Sequence, residues 1–209
     1  MSSEFIKRIL SSIILIPVTL FFIIKGSYLF IFFISICFGI LIYEWHLMSK
    51  KKSYRLFGFI FLFISFYTTY KVRIDSDYWF LLFILTTCIS TDIGGYVFGK
   101  TLKGPKLIKF SPNKTFAGMI GGYLLSIISG IILTNFYYSE NLPFNWFIFA
   151  ILISTISQLG DIIISYFKRL SKIKDTGKII PGHGGLLDRV DGMIFAFPFS
   201  YLIFLIDFL

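Results

Sequence analysis

Between Ser165 and Asp191 the chain sets bases, acids, glycines and a histidine into one short polar run. It reads Lys168-Arg169, Lys174-Asp175, Gly177, Pro181-Gly182-His183-Gly184-Gly185 and Asp188-Arg189-Val190-Asp191. These residue types suit the handling of a charged phosphate compound. Glycines let backbone N–H groups approach an anion, and the start of a helix adds positive potential. Lys168, Arg169, Lys174 and Arg189 bring positive charge, and an arginine can grip a phosphate through two hydrogen bonds. Taken singly, the glycines and bases would describe no more than an interfacial turn touching anionic lipid. The ordered spacing of acids and bases is far more specific.

Two further polar stretches stand in otherwise apolar sequence. Ser111-Pro112-Asn113-Lys114-Thr115 reads as a turn leading into a helix, with Ser111 or Thr115 as the cap. Asp92-Ile93-Gly94-Gly95-Tyr96-Val97-Phe98-Gly99-Lys100 has glycines that would let two membrane helices pack closely.

Asp92 and Asp161 lie inside apolar runs. A carboxylate near the centre of a membrane helix costs about 2.5–3.5 kcal/mol on insertion scales, so it usually faces a cavity or a partner. Asp92 precedes Lys100 by eight residues and Asp161 precedes Lys168 by seven. At ~1.5 Å per residue, each sits ~10–12 Å inside a basic boundary. Asp188 and Asp191, spaced i, i+3, share a helix face on the same side. Four carboxylates can thus meet at one depth. Oxygen-only donors suit Mg²⁺, which takes one or two carboxylates together with substrate phosphates. The competing reading pairs each acid with a nearby lysine or arginine to hold helices together. His183 lacks a second histidine or cysteine close by, so a loop histidine that contacts phosphate or holds the turn is preferred to a zinc ligand.

The elements that must position these residues are membrane helices. Of 209 residues, 56% are hydrophobic and 27 are phenylalanine; mean hydropathy is +0.81. A soluble domain of this size could not hide that much apolar surface. The expected fold is all-α, a single polytopic membrane domain of about seven spans. Residues 1–90 would form N-terminal helices and 91–209 would carry the motifs. The apolar runs are Ile9–Ile24, Tyr28–Leu47, Leu56–Tyr70, Tyr78–Phe98, Phe116–Tyr138, Phe144–Phe167 and Leu186–Phe208. Lys7-Arg8 lacks a following small-residue cleavage site, so the first helix is expected to be retained. Cys37 and Cys88 sit in separate apolar runs and read as core fillers rather than a disulfide or zinc pair.

A formal charge of +9 could suggest nucleic acid, but the bases lie between hydrophobic runs, so the membrane is the expected partner. Lys25, Lys71 and Arg73 fall on one side of the membrane and the other 17 of 20 lysines and arginines on the opposite side. The positive-inside rule then places the N-terminus and the polar motifs in the cytoplasm.

The three polar stretches resemble motifs of the phosphatidate cytidylyltransferase (CDP-diacylglycerol synthase) family. The resemblance runs from about Asp92 to Phe199. The 27 residues from Ser165 to Asp191 keep the family's signature in register: serine, Lys-Arg, Lys-Asp, Gly, Pro-Gly-His-Gly-Gly and Asp-Arg-x-Asp. Ser111–Thr115 is similar to its Ser-Pro-x-Lys-Thr segment, and Gln158-Leu159-Gly160-Asp161 to its Gly-Asp segment. Two departures stand out. Phe116-Ala117-Gly118 occupies the place of a common Trp-Glu-Gly, and Ile162, Ile163 and Ile164 stand where an acid often follows the Gly-Asp pair. Many family members also carry more hydrophobic segments at the N-terminus.

The resemblance implies that CTP and phosphatidic acid give CDP-diacylglycerol and diphosphate at the cytoplasmic face of a cell membrane. It implies Mg²⁺, with a second cation as an option, held by Asp161 and Asp188 with Asp191 in support. Lys168, Arg169, Lys174 and Arg189 would hold phosphates. Ser111, Lys114 and Thr115 would bind CTP or the lipid headgroup, with Asp92, Asp175, Gly182, His183, Gly184 and Gly185 lining the substrate site. Catalytic roles fall to Asp161, Asp188, Lys168 and Arg189. A homodimer is allowed. Three rivals stay open: a CTP-dependent lipid kinase, a cation-coupled transporter and a non-catalytic scaffold.

Overall fold

The computed structural model describes residues 3–50, 52–108, 111, 113–136, 145–180 and 184–206, with side chains described from residue 13 onward. Eight helices follow one another among them: α1 (Ser3–Lys25), α2 (Ser27–Met48), α3 (Arg55–Asp75), α4 (Tyr78–Thr101), α5 (Phe116–Phe136), α6 (Trp146–Leu170), α7 (Leu187–Val190) and α8 (Met193–Leu205). Pairing between extended segments is confined, among the described residues, to two isolated bridges, Lys106–Thr115 and Ile180–Gly184. The protein is an all-α membrane protein. Over its described residues, each apolar run of the sequence coincides with a helix, and the last with the pair α7 and α8.

The count of seven spans is not confirmed. Five helices, α2 to α6, are long and apolar enough to cross a membrane. The other apolar helical stretches, Ile13–Lys25 and Met193–Leu205, are shorter. A helix of 13 residues such as α8 rises ~20 Å, less than a hydrocarbon core of ~30 Å. The expected span Leu186–Phe208 is interrupted at Asp191-Gly192. A Cβ on Gly192 would collide with Ser157 Oγ and lie 2.8 Å from the Ser157 carbonyl oxygen. This glycine therefore lets the interruption press against α6.

Large apolar side chains stand exposed along the outer faces of the helices, among them Ile14, Phe32, Phe57, Ile93, Ile128 and Ile163. That surface matches lipid rather than water. Inside, Phe83, Ile84 and Cys88 of α4 pack with Phe149, Ala150 and Ile153 of α6 and with Ala196 and Phe197 of α8. A second core gathers Leu41, Trp45 and Met48 of α2 with Leu62, Ile164, Leu187 and Ile194. Both cysteines are free.

Close approach of α4 and α5 depends on their glycines. A Cβ on Gly94 would run into the Gly121 carbonyl oxygen, and one on Gly118 would lie 2.7 Å from the Gly95 carbonyl oxygen. Small residues let membrane helix backbones meet in this way. The contact also brings the loop before α5 against the end of α4: a Cβ on Gly99 would lie 3.3 Å from Thr115 Oγ1.

Candidate functional site

Thr115 accepts a hydrogen bond from Gly118 N at 3.1 Å and so caps α5. Of the two caps the sequence allows, the structure thus uses Thr115. Ser111 takes part through its carbonyl, which accepts from Lys114 N at 3.1 Å. The loop is pinned at its base by Leu107 N to the Lys114 carbonyl at 2.8 Å and Phe116 N to the Pro105 carbonyl at 3.2 Å. Held there, Lys114 turns its ammonium toward α6. Its Nζ lies 2.8 Å from Asp161 Oδ2. That ammonium is buried yet forms no aligned hydrogen bond with any described residue. Its contact with Asp161 is a charge contact only. Asp161 Oδ1 accepts from Ser165 Oγ, one turn on, at 3.4 Å.

A second base–acid group lies one step along the same helix. Lys168, buried near the end of α6, places Nζ 3.1 Å from Asp188 Oδ1 and 3.7 Å from Asp191 Oδ2. The shared face expected of Asp188 and Asp191 is therefore the one that meets Lys168. Asp188 Oδ2 accepts from Thr176 N at 2.8 Å and Gly185 N at 3.0 Å. Asp191 Oδ1 accepts from Gly192 N at 3.0 Å. Burial pushes the Asp191 carboxyl well above the usual range; Asp161 and Asp92 push the same way, against Lys168 and Lys114. All these groups thus feel one another. Asp92 has an exposed side chain on α4, within electrostatic reach of Asp161, Lys114 and Arg189.

Other expected residues stand around this cluster. Gly184 takes a left-handed φ of 86°, and its carbonyl accepts from Ile180 N at 3.0 Å. Gly185 is buried, Lys174, Asp175 and Arg189 are exposed, and Gly182 and His183 lie outside the described residues. Arg169 is exposed and donates to the Ile173 carbonyl at 3.0 Å, so its guanidinium closes its own turn. No group of three or more histidine, cysteine or acidic side chains among the described residues is already placed to hold a metal ion.

Sequence reasoning missed Glu44. It is 1% exposed and accepts from Leu186 N at 2.9 Å, Leu187 N at 2.7 Å and Thr176 Oγ1 at 3.2 Å. The signal was present, because Glu44 is a lone acid inside the run Tyr28–Leu47, as Asp92 and Asp161 are in theirs.

Residues 53–207, most of the chain and all of this cluster except Glu44, match the Cytidylyltransferase family. The chain belongs to that family. It is similar to the phosphatidate cytidylyltransferase of Rickettsia felis, 36% identical over 208 residues, covering 94% of this chain and 90% of the relative. The same enzyme of Rickettsia bellii is 36% identical over 215 residues, covering 96% and 91%. That of Brucella suis is 35% identical over 184 residues, covering 85% of this chain but 66% of the longer relative. Membership agrees with the geometry: the lysines and acids of separate family motifs, on α4, the loop before α5, α6 and α7, converge in one cluster.

Proposed function

We propose that this protein is a phosphatidate cytidylyltransferase that transfers CMP from CTP to phosphatidic acid, giving CDP-diacylglycerol and diphosphate. The observation that carries the reading is the convergence of Lys114–Asp161 with Lys168–Asp188–Asp191. Two buried ammonium groups and a set of carboxylates stand together at one end of an apolar helix bundle. The names of the relatives support the same reaction.

In this reaction an oxygen of the lipid phosphate attacks the α-phosphorus of CTP. The bond from that phosphorus to the β-phosphate oxygen breaks, and diphosphate leaves. The attacking phosphate is already anionic, so the site needs no strong base. Its residues act by positioning and by neutralising charge. Lys114, whose ammonium has no aligned acceptor among the described residues, is suited to a phosphate oxygen. Lys168 is suited to a second one while keeping its acids in register. Arg189 and Lys174, both exposed, add positive charge from the same segment.

The described acids fit a hard cation by type, since carboxylate oxygens are the donors such an ion takes. Asp161 and Asp188 would hold Mg²⁺ with Asp191 in support, Asp161 through the oxygen that now meets Lys114 and Asp188 through the one that now meets Lys168. Mg²⁺ bound there would neutralise the phosphates that meet at the site. The excess of lysine and arginine around this end supports placing it at the cytoplasmic face of the bacterial inner membrane.

Purified protein given phosphatidate, Mg²⁺ and CTP labelled in the cytidine tests the reading. Label in the lipid fraction is the expected result. A lipid fraction that gains the γ-phosphate and no cytidine would assign a CTP-dependent lipid kinase instead.

A further inference from the structure

Glu44 belongs to α2, far in sequence from the signature, and its three hydrogen-bond partners named above are neutral donors. Burying a carboxylate is costly even when it is fully hydrogen-bonded, and an apolar side chain would pack an α2 contact more cheaply. What the carboxylate provides is placement of the loop between α6 and α7. Glu44 and Asp188 grip that loop at the same two places. At Thr176, the hydroxyl donates to Glu44 and the backbone N–H to Asp188. At the far end, Gly185 N donates to Asp188 while the next two amides, Leu186 and Leu187, donate to Glu44.

The glycines around the carboxylate complete the fit. A Cβ on Gly185 would lie 2.7 Å from both Glu44 oxygens, and one on Gly177 would lie 2.7 Å from Oε1. A side chain at Gly185 would therefore displace the Glu44 carboxylate. With the loop fixed, Asp188 spends Oδ2 on two backbone amides and turns Oδ1 to Lys168.

We propose that Glu44 is a positioning residue of the cytidylyl-transfer site: it fixes Thr176 relative to Leu186 and Leu187 and so places Asp188 against Lys168. This rests on the function proposed above.

Full-length Glu44→Gln and Glu44→Asp proteins, purified in detergent, test it. Glutamine keeps the shape but turns an amide toward donors, so at least one backbone N–H loses its acceptor. The expected result is a kcat lower by about tenfold or more, with KM for phosphatidate unchanged. Glu44→Asp, which keeps the charge, should recover part of the loss. Backbone amides of Thr176, Leu186 and Leu187 should exchange hydrogen faster in Glu44→Gln. A folded Glu44→Gln protein with wild-type kcat overturns the proposal, even where its unfolding temperature falls. If Glu44→Gln does not fold, Thr176→Val decides, because it removes one of the Glu44 contacts and little else. A lowered kcat supports the proposal and an unchanged kcat overturns it. A wild-type protein that makes no CDP-diacylglycerol would refute the proposed function. Amide exchange would still decide the role of Glu44 in the loop, and unchanged exchange in Glu44→Gln would overturn it.

Discussion

Asp161→Asn and Asp188→Asn should separate activity from stability. Both substitutions keep the size of the side chain and remove its charge. The Asp161 side chain is 34% exposed beside Lys114. The carboxylate is partly open while the Lys114 ammonium is buried, so the pair contributes less than a fully enclosed one, and Asp161→Asn should unfold closer to wild type than a variant of an enclosed acid. The Asp188 side chain is 8% exposed and sits 3.1 Å from Lys168. Asparagine there can still accept from Thr176 N and Gly185 N through its oxygen. Its amide then faces the Lys168 ammonium, donor against donor, and Lys168 keeps only Asp191. Losing one buried, charge-assisted hydrogen bond costs about 1.5–3 kcal/mol, or roughly 10- to 150-fold in the folding equilibrium. Asp188→Asn should therefore unfold clearly earlier than Asp161→Asn. Turnover should fall by about a hundredfold or more in both, because a hard cation and its phosphates need the carboxylate charge. Thermal unfolding and CDP-diacylglycerol formation, measured on the same preparations, give both numbers. An Asp161→Asn protein that turns over at the wild-type rate would refute the placing of that charge in the reaction. Equal stability of the two variants would refute the reasoning from burial.

Other outcomes follow from the same geometry. Lys114→Ala should lower kcat/KM by about ten- to a hundredfold while leaving the fold intact, because its ammonium has no aligned acceptor among the described residues and would meet a phosphate oxygen; wild-type kinetics would demote Lys114 to a lipid contact. Gly94→Ala should destabilise the protein by about 1–3 kcal/mol, since the new methyl meets the Gly121 carbonyl. Gly39→Ala, where a Cβ has nothing within 4 Å, should be neutral in the same unfolding assay. With Cys37 and Cys88 replaced, a Lys172→Cys protein in sealed cells should react only with reagents that enter the cytoplasm, and an Asp77→Cys protein with reagents that do not. The reverse pattern would overturn the orientation.

The helices were legible because apolar runs and polar breaks are local properties of the chain. The third shows where local reading stops short. The hydropathy run ends at Tyr70, but α3 continues to Asp75. Lys71 and Asp75 pair one turn apart at 2.8 Å, and Arg73 donates to the Ile23 carbonyl at 2.8 Å. The last run read as one span because its residues are mostly apolar; the closeness of Gly192 to Ser157 appears only once α6 is in place. In the site, the shared face of Asp188 and Asp191 follows from spacing within one turn, while the choice of Thr115 over Ser111 as the cap needed the structure. The partners of Asp161 and Asp188 do not follow from spacing, since Lys114 and Lys168 lie on other elements. Glu44 was hardest to see, because its partners among the described residues, Thr176, Leu186 and Leu187, lie more than 130 residues onward.

Phosphorus NMR of a single reaction tests the central claim most directly. Purified protein, Mg²⁺, CTP and phosphatidate in mixed micelles should convert the lipid phosphomonoester signal into that of a diphosphate diester. Inorganic diphosphate should appear one for one with CTP consumed. Release of CDP with no diphosphate diester and no inorganic diphosphate would contradict cytidylyl transfer as the work of this site.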